Sequence, residues 1–118
     1  VNNNTHWSGP FTFVQGADTQ FGLIDFFKNN FTGGGVWSED LAIFKDAITE
    51  WNALNPIPKF VTICGDLVND MPQDPHNNRS KQLNDFKNAL TSLRKEIPLV
   101  LLGGNHDFLN TPTNASIK

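Results

Sequence analysis

Three side chains that can bind a metal ion follow closely on apolar runs of strand length. They are Asp18, Asp66 and Asn105. In an open α/β sheet, ligands gather at the carboxyl ends of the parallel strands. If the three runs are parallel strands of one sheet, these side chains meet at one edge of it, with His106 beside them. This constellation predicts a two-metal phosphoesterase.

Each of these side chains has a distinct predicted role. Two divalent ions about 3.5–4 Å apart need a ligand that touches both, and the carboxylate of Asp66 can do so. Gly65 before it leaves room for the backbone. Asp18 supplies a second hard oxygen suited to Mg, Mn, Fe or Zn, and Asn105 supplies a neutral carbonyl oxygen. A metal-activated water would then attack phosphorus in line.

The two residues after Asn105 are predicted to act as a general acid and its partner. A protonated His106 can donate a proton to the leaving oxygen, and the carboxylate of Asp107 can orient its ring. A lone aspartate after a strand is more often a helix cap or a turn residue. The interpretation therefore depends on the two motifs together, Gly-Asp after one strand and Gly-Gly-Asn-His-Asp after the next.

The elements that must position these residues alternate between strands and helices. Strands are predicted at residues 11–15, 60–64 and 99–102. Residues 19–37 include three successive glycines and are predicted to form a flexible loop. The Pro- and Asn-rich loop at 71–78 leaves the same sheet edge as Asp66, so it is predicted to form a wall of the site. His76 in that loop is expected to be a surface residue rather than a ligand.

Two amphipathic helices are predicted between the strands. The first has Ser38 as its N-cap and ends before Asn55, and the second opens near residues 78–80 and ends before Pro98. Their apolar side chains recur at helical spacing: Leu41, Phe44, Ile48, Trp51 and Leu54, then Leu83, Phe86, Leu90 and Leu93. A further helix start is predicted at Thr111, with a proline at its first helical position. This order predicts an α/β fold with βαβαβ topology, right-handed crossovers and a mainly parallel sheet.

Length and composition narrow the class of protein. The 118 residues suffice for one domain, and the net charge of −3 offers no basic stripe for nucleic acid. No apolar run approaches the ~20 residues of a membrane helix. The single cysteine, Cys64, cannot form an internal disulfide and is expected in the core, which favours a reducing compartment. We therefore expect a cytoplasmic monomer that binds neither nucleic acid nor membrane.

The chain ends suggest a longer protein. The chain begins at Val1 rather than Met and stops at Lys118, shortly after the third predicted helix start. A helix of one turn cannot bury an apolar face. We therefore expect residues 1–118 to be the N-terminal part of a single domain.

The motifs resemble those of the calcineurin-like metallophosphoesterase superfamily. Its pattern is Asp-x-His, Gly-Asp and Gly-Asn-His-Asp/Glu, followed by a lone His and Gly-His-x-His. Within it, the chain looks closest to a eukaryotic serine/threonine protein phosphatase, on matching segments that span nearly the whole chain. These segments are residues 9–11, 15–23, 58–60, 64–67, 97–100, 104–107 and 110–113.

The resemblance implies a four-layer α/β/β/α sandwich, of which this chain is the N-terminal half, and two divalent metal ions. Asp18 and Gln20 would bind one metal and Asp66 would bridge. Asn105 would bind the other metal, with His106 as the acid. Gln20 stands where most of the superfamily has histidine, so the first metal is expected to bind weakly or through water. The later histidines of the pattern are absent from these residues, so the chain by itself would lack metal ligands and be inactive.

Departures from the pattern narrow the choice within the superfamily. Asn69 stands where purple acid phosphatases carry their iron-binding tyrosine, and residues 65–70 lack the arginine of calcineurin-type catalytic subunits. Three functions remain open. They are a phosphomonoesterase acting on phosphoserine and phosphothreonine, a phosphodiesterase or nucleotide hydrolase, and a non-catalytic binding module. The resemblance favours the first, with a phosphorylated protein as the substrate.

Overall fold

A three-stranded parallel sheet forms the centre of the structure, a computed structural model that describes residues 9–74 and 77–117. Its strands are β1 (Val14–Ala17), β2 (Val61–Cys64) and β3 (Leu99–Leu102), in the spatial order β1-β2-β3. The register places Val61 of β2 opposite Val14 on one side and Leu99 on the other. The sheet confirms the predicted parallel α/β arrangement.

Helices connect the strands and cover one face of the sheet. They are α1 (Leu23–Lys28), α2 (Ser38–Ala53), α3 (Arg79–Leu90) and α4 (Asn105–Phe108). The longer pair, α2 and α3, pack against each other, and α1 packs on α2. The N-cap of α2 is Trp37, so Ser38 is its first helical residue rather than its cap. Phe44 and Ile48 of α2 and Phe86 of α3 are buried in the core, as the predicted amphipathic faces require. Leu54, predicted on the same face of the first helix, is instead the C-cap of α2 and is 43% exposed.

The core lies between β2 and the two longer helices. Val61 and Ile63 of β2 are fully buried, as is Phe21 from the loop after β1. The rings of Phe44 and Phe86 stack at 5.1 Å, and Phe21 meets both edge-on at 5.7 and 5.9 Å. Helical periodicity could not reveal Phe21, because it precedes α1 and belongs to no amphipathic stripe.

The structure also corrects several predicted boundaries. The first strand, predicted at residues 11–15, lies at Val14–Ala17. The loop predicted at 19–37 contains α1, whose six residues are too few for a periodic signal. The second predicted helix ends at Leu90, before the turns that lead to β3. No helix occupies the described residues 109–117. Thr113 and Ser116 instead exchange the reciprocal hydrogen bonds of a capping box within a turn.

The other face of the sheet exposes apolar side chains. Phe13, Val100 and Leu102 are between 46% and 53% exposed, and Phe13 stacks on Phe60. Cys64 is a half-buried free thiol, outside the buried core where it was expected. No helix in the described part of the chain is long and apolar enough to cross a membrane.

Candidate metal centre

Backbone hydrogen bonds tie the strand ends that carry the predicted ligands to one another. The amide of Asp18 donates to the carbonyl of Gly65 at 3.1 Å, and the amide of Gln20 donates to that of Asp66 at 2.9 Å. The amide of Gly65 donates in turn to Leu102 at 3.2 Å, at the end of β3. The loops after β1 and β2 therefore lie side by side, as the parallel sheet predicts.

Three of the predicted ligands have strained backbone conformations. Seven described residues other than glycine have positive φ, and among them are Asp18 at 55°, Gln20 at 29° and Asp66 at 48°. Such a conformation costs on the order of 1–3 kcal/mol and persists only where the surrounding structure enforces it. Three of the seven strained residues thus lie in the loops at one sheet edge and carry side chains with metal-binding oxygens.

Two glycines bring the third strand end against the second. A Cβ atom on Gly104 would lie 2.2 Å from Oδ1 of Asp66, and one on Gly103 would lie 1.8 Å from a ring carbon of Phe108. Only glycine fits at both positions without displacing its neighbours. The Gly-Gly step therefore lets the exposed Asn105 start α4 directly beside Asp66.

One oxygen of the Asp66 carboxylate is already held by the protein. Oδ1 accepts a hydrogen bond of 2.9 Å from the amide of His106. Oδ2 has no hydrogen-bond partner among the residues that the structure describes, and the side chain is half-buried. The hydrogen bond to Oδ1 sets the orientation of the carboxylate.

A backbone carbonyl holds the ring of His106. Its Nδ1 contacts the carbonyl oxygen of Asn69. A carbonyl can only accept a hydrogen bond, so Nδ1 carries the hydrogen of this contact and Nε2 faces away from Asn69. The carboxylate of Asp107 instead accepts from the amides of Leu67 at 3.2 Å and Gly104 at 2.8 Å. The expectation that Asp107 orients the ring is thus corrected, because successive side chains on a helix do not face each other.

Arg79 fastens α4 to the rest of the site, a role that the sequence reading did not predict. Its guanidinium donates to the carbonyls of Asp70 at 2.9 Å, His106 at 3.0 Å and Asp107 at 2.8 Å. Arg79 is the first residue of α3. A cation is unfavourable at a helix N-terminus, so an arginine there was a signal of a tertiary role.

A buried polar network lies beneath the loop that carries Asn69. The side chain of Gln82 is fully buried, and its Oε1 accepts a hydrogen bond of 3.1 Å from the backbone amide of Asp70. Its Nε2 donates to the Asp70 carboxylate and to the carbonyl of Gly34, each at 3.2 Å. The other carboxylate oxygen of Asp70 accepts from the amide of Asn78 at 3.1 Å. Because these groups satisfy one another, the loop that holds the imidazole has a defined position.

The donor chemistry fits part of a divalent metal site. Asp18 and Asp66 offer carboxylate oxygens, and Gln20 and Asn105 offer amide oxygens, which are hard donors that suit Mg, Mn, Fe or Zn. Within residues 9–74 and 77–117, no three histidine, cysteine or carboxylate side chains form a metal-binding group. His76, expected at the surface, lies outside the described residues. The described residues therefore provide an incomplete ligand set.

Comparison with known proteins places these features in context. The family model for calcineurin-like phosphoesterases matches residues 11–116. The chain is 44% identical over 114 residues to a mouse protein named serine/threonine-protein phosphatase CPPED1. It is 42% identical over 116 and 114 residues to the human and zebrafish proteins of that name. The alignments cover 95%, 97% and 95% of this chain but 36% of each relative, so the chain spans little more than a third of their length.

Proposed function

Because this chain belongs to the calcineurin-like phosphoesterase family, we propose that it forms part of a metal-dependent serine/threonine phosphoprotein phosphatase. The observation that carries the proposal is the contact between the strand ends, which brings the loops of Asp18, Asp66 and His106 together. The names of the relatives, at 42–44% identity, support phosphoproteins as the substrate class.

The domain itself is proposed to extend beyond these residues. All-parallel sheets are normally covered on both faces, whereas here one face exposes Phe13, Val100 and Leu102. This exposure supports the expectation that residues 1–118 are the N-terminal part of a single calcineurin-like phosphoesterase domain. The second sheet of a four-layer sandwich would cover that face.

The proposed site would hold two divalent cations, of Mn, Mg, Fe or Zn. Asp66 would contact both cations, Asp18 and Gln20 would bind one, and Asn105 would bind the other. When bound, such metals stabilise charge on the phosphoryl oxygens and activate a water for in-line attack. The half-burial of Asp66 and the hydrogen bond that it accepts from α4 favour a ligand of fixed orientation.

The proposed proton donor is Nε2 of His106. The carbonyl of Asn69 holds Nδ1, so the proton available for transfer is on the opposite nitrogen. There it can pass to the leaving Oγ of serine or threonine, which is a poor leaving group without a proton. Arg79 and Asp107 keep α4 in place while this happens.

The decisive experiment removes the charge of the proposed bridging ligand in the protein at its natural length. Asp66→Asn should lower the metal content, measured by inductively coupled plasma mass spectrometry. It should also reduce phosphoserine-peptide hydrolysis by about 10²–10³-fold or more, the range for losing one electrostatic stabiliser of a transition state. Asp46→Asn, on the exposed side of α2, is the matched control and should change neither quantity. Unchanged metal content with full activity in Asp66→Asn would refute the proposal, and a preference for phosphodiesters would refute the substrate class.

A further inference from the structure

Three phenylalanines form an exposed cluster beside the candidate site. Phe26, Phe27 and Phe31 meet edge-on, with ring centroids 5.2–6.1 Å apart. Phe27 is 56% exposed and Phe31 is 63% exposed, and α1 buries none of its residues fully. A contiguous exposed apolar patch usually marks an interaction surface.

A cavity of about 440 Å³ lies between this cluster and the candidate site. Its apolar wall consists of Leu23, Phe26, Phe27 and Met71, and it also touches Gln20 and His106 of the site. The volume is within the range of roughly 300–1,000 Å³ that is typical of ligand pockets. The cavity is thus continuous with the groups proposed to bind metal and to donate the proton.

We propose that this cavity binds an apolar side chain that flanks the phosphorylated residue of a protein substrate. This inference rests on the proposed function. In phosphoserine only Oγ and Cβ separate phosphorus from Cα, so the substrate backbone must lie close to His106. Because consecutive Cα atoms are only about 3.8 Å apart, a neighbouring side chain then lies at the mouth of the cavity.

The lining favours a leucine, methionine or phenylalanine of a polypeptide over other apolar ligands. Phe26, Phe27 and Met71 offer ring faces and a flexible thioether, which pack well on such side chains. The remaining wall is polar and includes Asn69 and Asp74, so the lining is mixed, as is a polypeptide that carries apolar side chains on a polar backbone. A long-chain alkyl phosphate offers no backbone amide or carbonyl to this polar part of the wall.

The test uses matched phosphopeptides and the protein at its natural length with Mn. One series carries leucine and the other serine at each of the two positions on either side of phosphoserine. We expect kcat/KM to be at least about tenfold higher for leucine at one position, because a single methylene in an apolar pocket is already worth about tenfold. Phe27→Ser should abolish this preference. Met71→Ser, from another part of the wall, should reduce it in the same direction.

Phe31→Ser is the matched control, because Phe31 belongs to the same exposed cluster but does not line the cavity. It should keep the leucine preference and the activity on p-nitrophenyl phosphate. Loss of the preference in this variant to the same degree as in Phe27→Ser would show that the cluster acts through its packing, and would overturn the proposal.

A binding measurement separates the failure of this inference from the failure of the proposed function. Fluorescence anisotropy with a non-hydrolysable phosphonate analogue of each peptide should show the same tenfold preference in Kd. Hydrolysis of p-nitrophenyl phosphate without any leucine preference would overturn the cavity proposal and leave the phosphatase proposal standing. If neither phosphate is hydrolysed, the phosphatase proposal fails, and the anisotropy ratio still decides about the cavity. Stronger binding of an alkyl phosphate than of the leucine peptide would overturn the assignment to polypeptides.

Discussion

The core beneath α2 and α3 and the loops at the carboxyl ends of the strands are held together in different ways. In the core, the ring centroids of Phe21, Phe44 and Phe86 lie 5.1–5.9 Å apart. These rings stabilise the fold by burying apolar surface, and that effect is non-directional. At the strand ends, directional hydrogen bonds from Arg79 and to Asp107 set the positions. The core therefore fixes where the elements lie, and the polar loops fix the side-chain geometry that chemistry requires.

The largest expected effect comes from a substitution at the strand ends, and it is a loss of activity. His106→Ala should reduce hydrolysis of a phosphoserine peptide by about 10²–10⁴-fold, the usual value of a general acid, while the metal content stays the same. The loss on p-nitrophenyl phosphate should be much smaller, because that leaving group departs without a proton. Steady-state kinetics on the two substrates measure this. Equal losses on both, or loss of a metal ion, would assign His106 another role.

A substitution in the core should instead lower the stability of the fold. Phe86→Ala removes a ring that stacks on Phe44 and meets Phe21 edge-on, and should lower the free energy of unfolding by about 3–5 kcal/mol. Ile43→Ala, at a 58% exposed position of α2, should change it by no more than about 0.5 kcal/mol. Urea denaturation of the protein at its natural length gives both values. A similar loss in the two variants would contradict the assignment of the core.

Arg79 offers a way to loosen the polar region without removing any proposed catalytic group. In Arg79→Lys a single ammonium replaces the planar fork that bonds three carbonyls, so α4 should lose its position. We expect kcat on a phosphoserine peptide to fall about tenfold with little change in KM, since a small misplacement of a reacting group already costs rate. Arg94→Lys, at an exposed site, is the control. Equal kinetics in the two variants would show that Arg79 has no positioning role.

The smallest expected effect concerns Asp25, which belongs to neither region and organises the loop before α2. The amide of Gly34 donates to its carboxylate at 2.8 Å and is the main reason why the pKa of Asp25 lies below its ordinary 3.8. The amides of Val36 and Gly35 and the side chain of Asn29 lower this pKa further, while burial opposes them.

Because the folded pKa of Asp25 is lower than the unfolded pKa, the unfolded chain binds more protons in this range. The contribution to stability is therefore present above pH 3.8 and is lost as the pH falls through the folded pKa. Asp25→Asn should make the unfolding free energy less dependent on pH below about pH 4. The change in slope should correspond to less than one bound proton. Denaturation measured between pH 3 and pH 7 checks this, and identical slopes in the two proteins would argue against it.

Much of the fold could be predicted from the chain because its signals are local. The alternation of apolar runs and helical spacing predicted β2, β3, α2 and α3, and the family match confirms the resemblance of the motifs. The short helices α1 and α4 were missed, since six and four residues hold too little periodicity. The metal-binding roles of Asp18, Gln20, Asp66 and Asn105 stay predictions.

The sequence by itself determined which chemical groups follow each strand and in what order, because those features depend on residue type and spacing alone. Only the tertiary structure decided how the groups are held. The carbonyl of Asn69 contacts the ring of His106, which lies 37 residues later in the chain. Arg79 donates hydrogen bonds to His106 and Asp107, which follow it by 27 and 28 residues. Contacts of this separation depend on how the loops are placed after the sheet and helices have packed. No local pattern encodes that placement, so the partner of His106 expected from adjacency, Asp107, was not the partner found.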